Sequence, residues 1–343
     1  MKFVFSGGWL GRKGLFEASV KRVHLLEGLE GLKSVSSGFM VLSYHAGAKT
    51  LGLPLKTPSY PCLILLELGD IFPFKMKSDK DAELKFLSSS FGEKDYMSAV
   101  ERVRELIGEG VIYQLNLTCR FDFKFSGDPL TLFLKYYQQQ PVPYAFFLEV
   151  EGFYLLSGSM ELFLEKGKRL LQSKPIKGTS RSREELLRSL KDRAENLMIT
   201  DMVRNDLSRV ALPGSVKVEE LFRVEKFRTL FQMHSRVVAQ TEESLHPILE
   251  ATFPPASVVG APKKKAVEVI DQIEPHNREY YCGCAGFIRG EDFILSVLIR
   301  TAIGSGDRLS YYAGAGIVWD SLPQKEWQEV LLKTQAFYSG FRV

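Results

Sequence analysis

The chain has 343 residues, 45% of them apolar and 25% charged, the profile of a globular protein with ample material for a core. That length suits two domains or one large one. The net charge is only +4 and the basic run at 263–265 stands alone, which argues against a nucleic-acid partner and suits a small anionic substrate.

Residues 1–90 read as short strands and turns, frequent in Gly and Pro, with an apolar run at 61–68. Asp95 is placed to cap a helix over 96–107, which Gly108 and Gly110 end. Strand-like runs follow at 112–125, 144–150, 153–157 and 162–165, rich in Phe, Tyr and Val. A further strand is expected at 168–171. The stretch 175–180 behind it reads as a turn, with Pro175 fixing one side and Gly178 freeing the other. Lys177 lies in that turn, where it is either aimed into a cleft or simply solvated.

Ser182 and Glu185 form a capping box, and Leu186, Leu187, Leu190, Ala194 and Leu197 continue at helical spacing to about residue 208. Pro262 stands in the first turn of another helix, with Val267 and Ile270 on its inner face. Runs 293–303 and 309–317 read as buried strands, and Pro323 opens a last helix to about residue 337. Strands come in consecutive runs. That predicts an α+β fold with antiparallel-rich sheets, not a doubly wound parallel sheet.

Cys62, Cys119, Cys282 and Cys284 offer no C-x-x-C spacing, so they are expected to be reduced thiols in a cytosolic protein. No apolar run reaches the length of a membrane span, and residues 1–20 lack a signal-peptide core. The histidines (24, 45, 234, 246, 276) show no metal spacing such as H-E-x-x-H and read as surface or packing residues.

Several groups could carry chemistry. Glu326, Glu329 and Lys333 at i, i+3, i+7 fall within roughly 60° on one helix face. Two such carboxylates can hold a hard cation, and Mg²⁺ typically takes one or two plus substrate oxygens. The competing reading is an exposed salt-bridged face. Gly314-Ala315-Gly316 resembles part of a dinucleotide fingerprint, but Trp319 stands where a glycine is needed and no helix follows directly. Its two glycines either let backbone N–H groups approach an anion or mark a tight turn. Arg300, behind an apolar strand, suits a carboxylate or a structural ion pair. Residues 260–263 join a turn to a helix start, which suits an anion or mere punctuation. Glu161, between two apolar runs, is either a general acid with a raised pKa or a rim residue. Gly158-Ser159 lacks the G-x-S-x-G pattern of a nucleophile elbow.

Taken together, the segments resemble the chorismate-utilising enzymes, which include anthranilate, aminodeoxychorismate, isochorismate and salicylate synthases. The matching stretches are Tyr113-Gln-Leu-Asn-Leu-Thr118, Pro175-Ile-Lys-Gly-Thr179, 197–209 (LMITDMVRNDLSR), 253–263 (FPPASVVGAPK), Tyr281-Cys-Gly283, Ile299-Arg-Thr301, Ala313-Gly-Ala-Gly-Ile317 and Lys325-Glu-Trp-Gln-Glu329. They cover residues 93–343. Residues 1–90 carry little of the resemblance and look shortened beside the longer members.

The resemblance implies two large antiparallel-rich sheets packed as a sandwich with helices outside. Residues 1–90 would form a shortened strand-rich part of the same globular unit, and residues 91–343 the chorismate-binding catalytic domain. It implies that Gln114 stands where the water-using members have a lysine base, which fits ammonia as nucleophile. The P-I-K-G-T form around Lys177 is typical of aminodeoxychorismate synthases, whereas anthranilate synthases usually have alanine there. The implied reaction is Mg²⁺-dependent amination of chorismate to 4-amino-4-deoxychorismate, on the route to para-aminobenzoate and folate. Lys177 would be the covalent nucleophile and Glu161 the general acid. Glu195, Glu326 and Glu329 would hold Mg²⁺. Thr179, Tyr281, Arg300, Gly314, Gly316 and Lys333 would contact the substrate.

There are departures: Val259 stands where threonine is common, and Gln232 where many relatives have a histidine, with His234 two places on. No cysteine–histidine arrangement reads as a glutaminase, so a separate glutamine amidotransferase subunit is implied as the ammonia source. The alternatives are anthranilate synthesis and a binding protein that no longer catalyses.

Overall fold

A computed structural model describes residues 1–34, 36–75, 81–226 and 231–338. The first half runs β1 (Lys2–Ser6), β2 (Leu15–Leu26), β3 (Ser37–Leu42), α1 (Ala46–Leu51), β4 (Leu63–Pro73), β5 (Ala82–Ser89), α2 (Glu93–Gly108), β6 (Gln114–Gly127) and α3 (Pro129–Gln139). Then come β7 (Tyr144–Val150), β8 (Phe153–Ser159), β9 (Leu162–Gly167), β10 (Leu170–Lys174), β11 (Ile176–Ser180), α4 (Arg183–Arg188), α5 (Leu190–Ser208), β12 (Lys217–Lys226) and β13 (Phe231–Gln240). The chain closes with α6 (Leu245–Thr252), β14 (Gly260–Ala261), α7 (Lys263–Ile273), β15 (Cys284–Arg289), β16 (Asp292–Val297), β17 (Thr301–Ser305), β18 (Arg308–Ile317) and α8 (Pro323–Tyr338).

Every strand pairing among the described residues is antiparallel, as the α+β reading expects. One half of the sheet runs β5-β6-β18-β17-β8-β7-β1, and the other β4-β3-β15-β16-β9-β10-β13-β12. The long strand β2 belongs to both. Its start pairs with β1, its length pairs with β4, and register shifts between Ala18 and Arg22 bend it. Bent there, the sheet lays its two halves face to face. Phe39 of β3 packs on Phe3 of β1 at 4.6 Å and on Phe146 of β7 at 5.2 Å between ring centroids, and Phe287 of β15 meets Phe5 at 5.0 Å.

Strand alternation sets the third layer. Phe146 points at the opposite half, while its neighbour Phe147 points outward at Phe133 of α3. Helix α8 lies on β18 and β6 through Phe337 against Tyr311 and Trp327 against Phe121. Helix α5 lies on β11 to β13. Strands from residues 1–90 pair with later ones: β1 with β7, β3 with β15.

Local expectations change in six places. Gly92, not Asp95, is the N-cap of α2, and Asp95 sits in its first turn, where its charge favours the helix dipole. The helix expected over 182–208 is two helices. The Ser182 side chain accepts from the Glu185 amide and the Ser189 side chain from the Asp192 amide, so a second cap interrupts the run. The Glu185 carboxylate accepts from the Ser180 hydroxyl instead of closing the capping box. The strand expected over 293–303 divides into β16 and β17, because Arg300 has φ 54. The turn expected over 175–180 is strand β11, bulged between Ile176 and Thr179 where it pairs with β13. Residues 314–317 lie within β18, paired along β6, and form no turn.

Candidate active site

Gln114, Asn116 and Thr118 share one face of β6, opposite the apolar face of Leu115, Leu117 and Cys119. β18 runs beside it, with Gly316 opposite Asn116 and Gly314 opposite Thr118. A Cβ built on Gly316 would stand 3.0 Å from Gln114 Nε2, 3.2 Å from Glu195 Oε2 and 3.5 Å from Lys177 Nζ. Four distant segments therefore meet over one glycine: β6, β11, α5 and β18. Any side chain at Gly316 would fill the space that the three groups share.

β11 delivers Lys177. Its bulge needs Gly178 at φ 91, and a Cβ there would lie 2.9 Å from Asp192 Cβ and from Leu186 Cδ1. Glycine thus lets the strand press against α4 and α5. Glu161, in the loop between β8 and β9, is only 4% exposed. Burial pushes its carboxyl up to about 7, against the Ser257 hydroxyl, the charge of Lys177 and the backbone at Ile176, which favour ionisation. A cavity of about 10 Å³, near the size of one water, adjoins it and is lined also by Ser173, Asp206, Thr252 and Ser257.

Helix α8 brings Glu326 and Glu329 to the same region that Glu195 reaches from α5. Glu326 is 2% exposed and accepts from Lys191 Nζ at 3.1 Å, while Lys191 lies 3.9 Å from Glu195. Burial raises the Glu195 carboxyl, against the charges of Lys177 and Lys191. The Glu329 carboxyl is lowered, because Lys333, Lys191 and Lys177 outweigh its burial. Lys333 Nζ donates to Glu329 at 2.6 Å and to the carbonyl of Gly314 at 2.7 Å. Arg300 Nη1 donates to the carbonyl of Lys333 at 3.0 Å. Tyr281 stacks on Tyr312 at 5.4 Å and feels the charge of Arg300. Thr179 is exposed and sits opposite Gln232 across β11 and β13.

The three carboxylates are hard oxygen donors, and a lysine ammonium already sits on two of them, so the site suits a cation. Their oxygens do not form a cluster within 4.8 Å; among the described residues that spacing is met by Glu30, His246 and Glu250, which lie elsewhere. His246, read from sequence as a packing residue, is thus buried beside two carboxylates.

Sequence reasoning missed three features. Lys191 carried a signal, its i, i+4 spacing to Glu195. Gln114 Oε1 and Gln232 Oε1 are buried and find no hydrogen-bond partner among the described residues, which no local pattern announces. The third is a buried ionic network under β6. Arg278 donates to Glu274 through Nε at 2.9 Å and Nη2 at 2.7 Å, and to the carbonyls of Asn116 and Val258 at 2.6 and 2.9 Å. Glu274 accepts from the amide and hydroxyl of Thr118, both at 2.8 Å. Its carboxyl is lowered although burial opposes ionisation, because Arg278 pairs with it. The network fixes the stretch of β6 that carries the site.

Residues 67–339 match the family model described as chorismate binding enzyme. The chain belongs to this family. It is 40% identical over 258 residues to the aminodeoxychorismate synthase component 1 of Escherichia coli (strain K12), covering 71% of this chain and 57% of that protein. It is 32% identical over 278 residues to the anthranilate synthase component 1 of Aquifex aeolicus, covering 77% of this chain and 56% of that protein. The chain thus spans under two thirds of the length of these curated relatives. Among solved structures, the fold is like that of an isochorismate synthase, DhbC, from Bacillus anthracis, with TM-score 0.78 and 21% identity over 98% of this chain and 95% of that one. It is also like anthranilate synthase component I from Streptococcus pneumoniae, with TM-score 0.78 and 23% identity over 93% and 82%.

Proposed function

We propose that this chorismate-binding enzyme aminates chorismate with ammonia to 4-amino-4-deoxychorismate, releasing water. The observation that carries the reading is that Lys177, Gln114 and Glu195 converge over Gly316. Lys177, as the free amine, attacks the ring while Glu161 gives its proton to the ring hydroxyl, which leaves as water. Ammonia then displaces Lys177, and the new ring ammonium returns its extra proton to Glu161. The sum is chorismate plus ammonia to aminodeoxychorismate plus water.

Gln114 cannot take a proton from water, but its unpartnered Oε1 can accept an N–H of the incoming ammonia. Arg300, Lys333, Tyr281, Thr179 and the backbone at Gly314 and Gly316 would hold the substrate carboxylates. Glu195, Glu326 and Glu329 would hold Mg²⁺, whose charge would steady the ring carboxylate. The four cysteines are buried and burial pushes each thiol upward, so none offers a thiolate for glutamine hydrolysis. A separate glutamine amidotransferase would supply ammonia. No described helix is long and apolar enough to cross a membrane. Free thiols suit a cytosolic setting.

The test is to incubate the protein with chorismate, ammonium and Mg²⁺ and identify the product by liquid chromatography and mass spectrometry. Aminodeoxychorismate is expected. Fluorescent anthranilate, which the anthranilate synthase relatives make a real competitor, would overturn the reading.

A further inference from the structure

We propose that Lys191 is a built-in cation for the carboxylate cluster, holding it together without metal and swinging out when a divalent cation binds. The inference rests on the metal reading above. Glu195, Glu326 and Glu329 carry three negative charges. Lys191 and Lys333 face them with positive charge, and so does Lys177 until it gives up its proton to act as the amine of the proposed reaction. Asp192 adds a further negative charge beside Glu195, but the Lys191 ammonium standing between Glu326 and Glu195 repels an entering double charge, so a lysine must withdraw for the cation to enter.

The geometry singles out Lys191. Lys333 is tied to the carbonyl of Gly314 as well as to Glu329, and Lys177 reaches over Gly316 from the β11 bulge. The Lys191 side chain is 48% exposed and, among the described residues, its hydrogen bond goes to Glu326 alone. Its place on the helix also works against it. It follows the Ser189 cap by two residues, so its charge sits at the positive end of the α5 dipole. The order Lys191 then Glu195 is the weaker orientation of an i, i+4 pair. What holds Lys191 inward is the buried Glu326, the group a cation would satisfy in its stead. Without Lys191, Glu326 would be a buried carboxylate that had lost its one ion pair among the described residues.

The experiment is calorimetric titration of Mg²⁺ into the substrate-free protein and into Lys191→Met, with thermal melts of both. The variant is expected to bind Mg²⁺ at least tenfold more tightly. Its melting temperature is expected to drop without metal and to recover with it, far more than the parent's responds. Equal or weaker binding by the variant overturns the proposal while leaving the metal reading intact. No Mg²⁺ uptake by either protein, with product still formed, overturns the metal reading itself. A variant that does not fold is bypassed on the parent protein. Acetic anhydride labelling of Lys191, read by peptide mass spectrometry, is expected to rise severalfold with Mg²⁺ while exposed Lys265 stays constant. Unchanged labelling overturns the proposal.

Discussion

Lys177 Nζ stands 3.5 Å from the point where a Cβ of Gly316 would lie, so a lysine amine and an absent side chain define one space. Gly316→Ala would place a methyl 3.0 Å from Gln114 Nε2 and inside that space. Its β18 backbone is extended, so folding is expected to survive. Activity is expected to fall on the order of 10²-fold, since displacement of about 1 Å costs that much. Melting temperature and kcat/KM measured together check this; full activity would show that the substrate lies elsewhere.

Lys177→Ala removes the proposed nucleophile. Intact-protein mass spectrometry with chorismate and no ammonia is expected to show an adduct in the parent and none in the variant. An adduct that persists in the variant assigns the covalent bond to another residue.

Glu161 ties both activity and stability to pH, and both fall as pH rises. With its carboxyl raised to about 7, the protonated acid is lost above that pH, and kcat/KM is expected to fall about tenfold per pH unit there. Stability also falls as pH rises from the ordinary carboxyl value of 4.5 to about 7, since the folded state holds the proton more tightly than the unfolded chain. Glu161→Gln is therefore expected to abolish the limb and to stabilise the fold at pH 8 by up to about 3 kcal/mol, with no gain at pH 4. Urea unfolding at both pH values decides this.

Arg278→Met leaves Glu274 a buried carboxylate without its partner. A loss of about 3–5 kcal/mol is expected in urea unfolding. The double variant with Glu274→Gln is expected to recover part of it. A single variant as stable as the parent would show that Glu274 takes up a proton at little cost.

Much of the fold was legible because it depends on neighbours in sequence. The strand at 144–150 was read with the bounds of β7, and the last helix with its Glu326, Glu329 and Lys333 face, since alternation and 3.6-residue spacing are local. Residues 175–180 were misread as a turn for the converse reason. Gly178 signals a positive φ, but whether that makes a turn or a bulge depends on β13, far along the chain. A leucine period runs through Ser189 and hides it, and only the folded backbone shows its side chain capping a second helix at the Asp192 amide.

By itself, then, the sequence determined the residue types of the site, the alternation of the strands, the helix faces and, through ordered motifs, the family. Tertiary structure alone decided that Gln114, Lys177 and Glu195 meet over Gly316, that Glu161 is buried enough to keep its proton near neutral pH, and that Lys191 and Arg278 neutralise the buried carboxylates. Dihedral preference and periodicity are written residue by residue. Burial and charge pairing depend on which distant strands share a register, and that is settled only when the sheet closes.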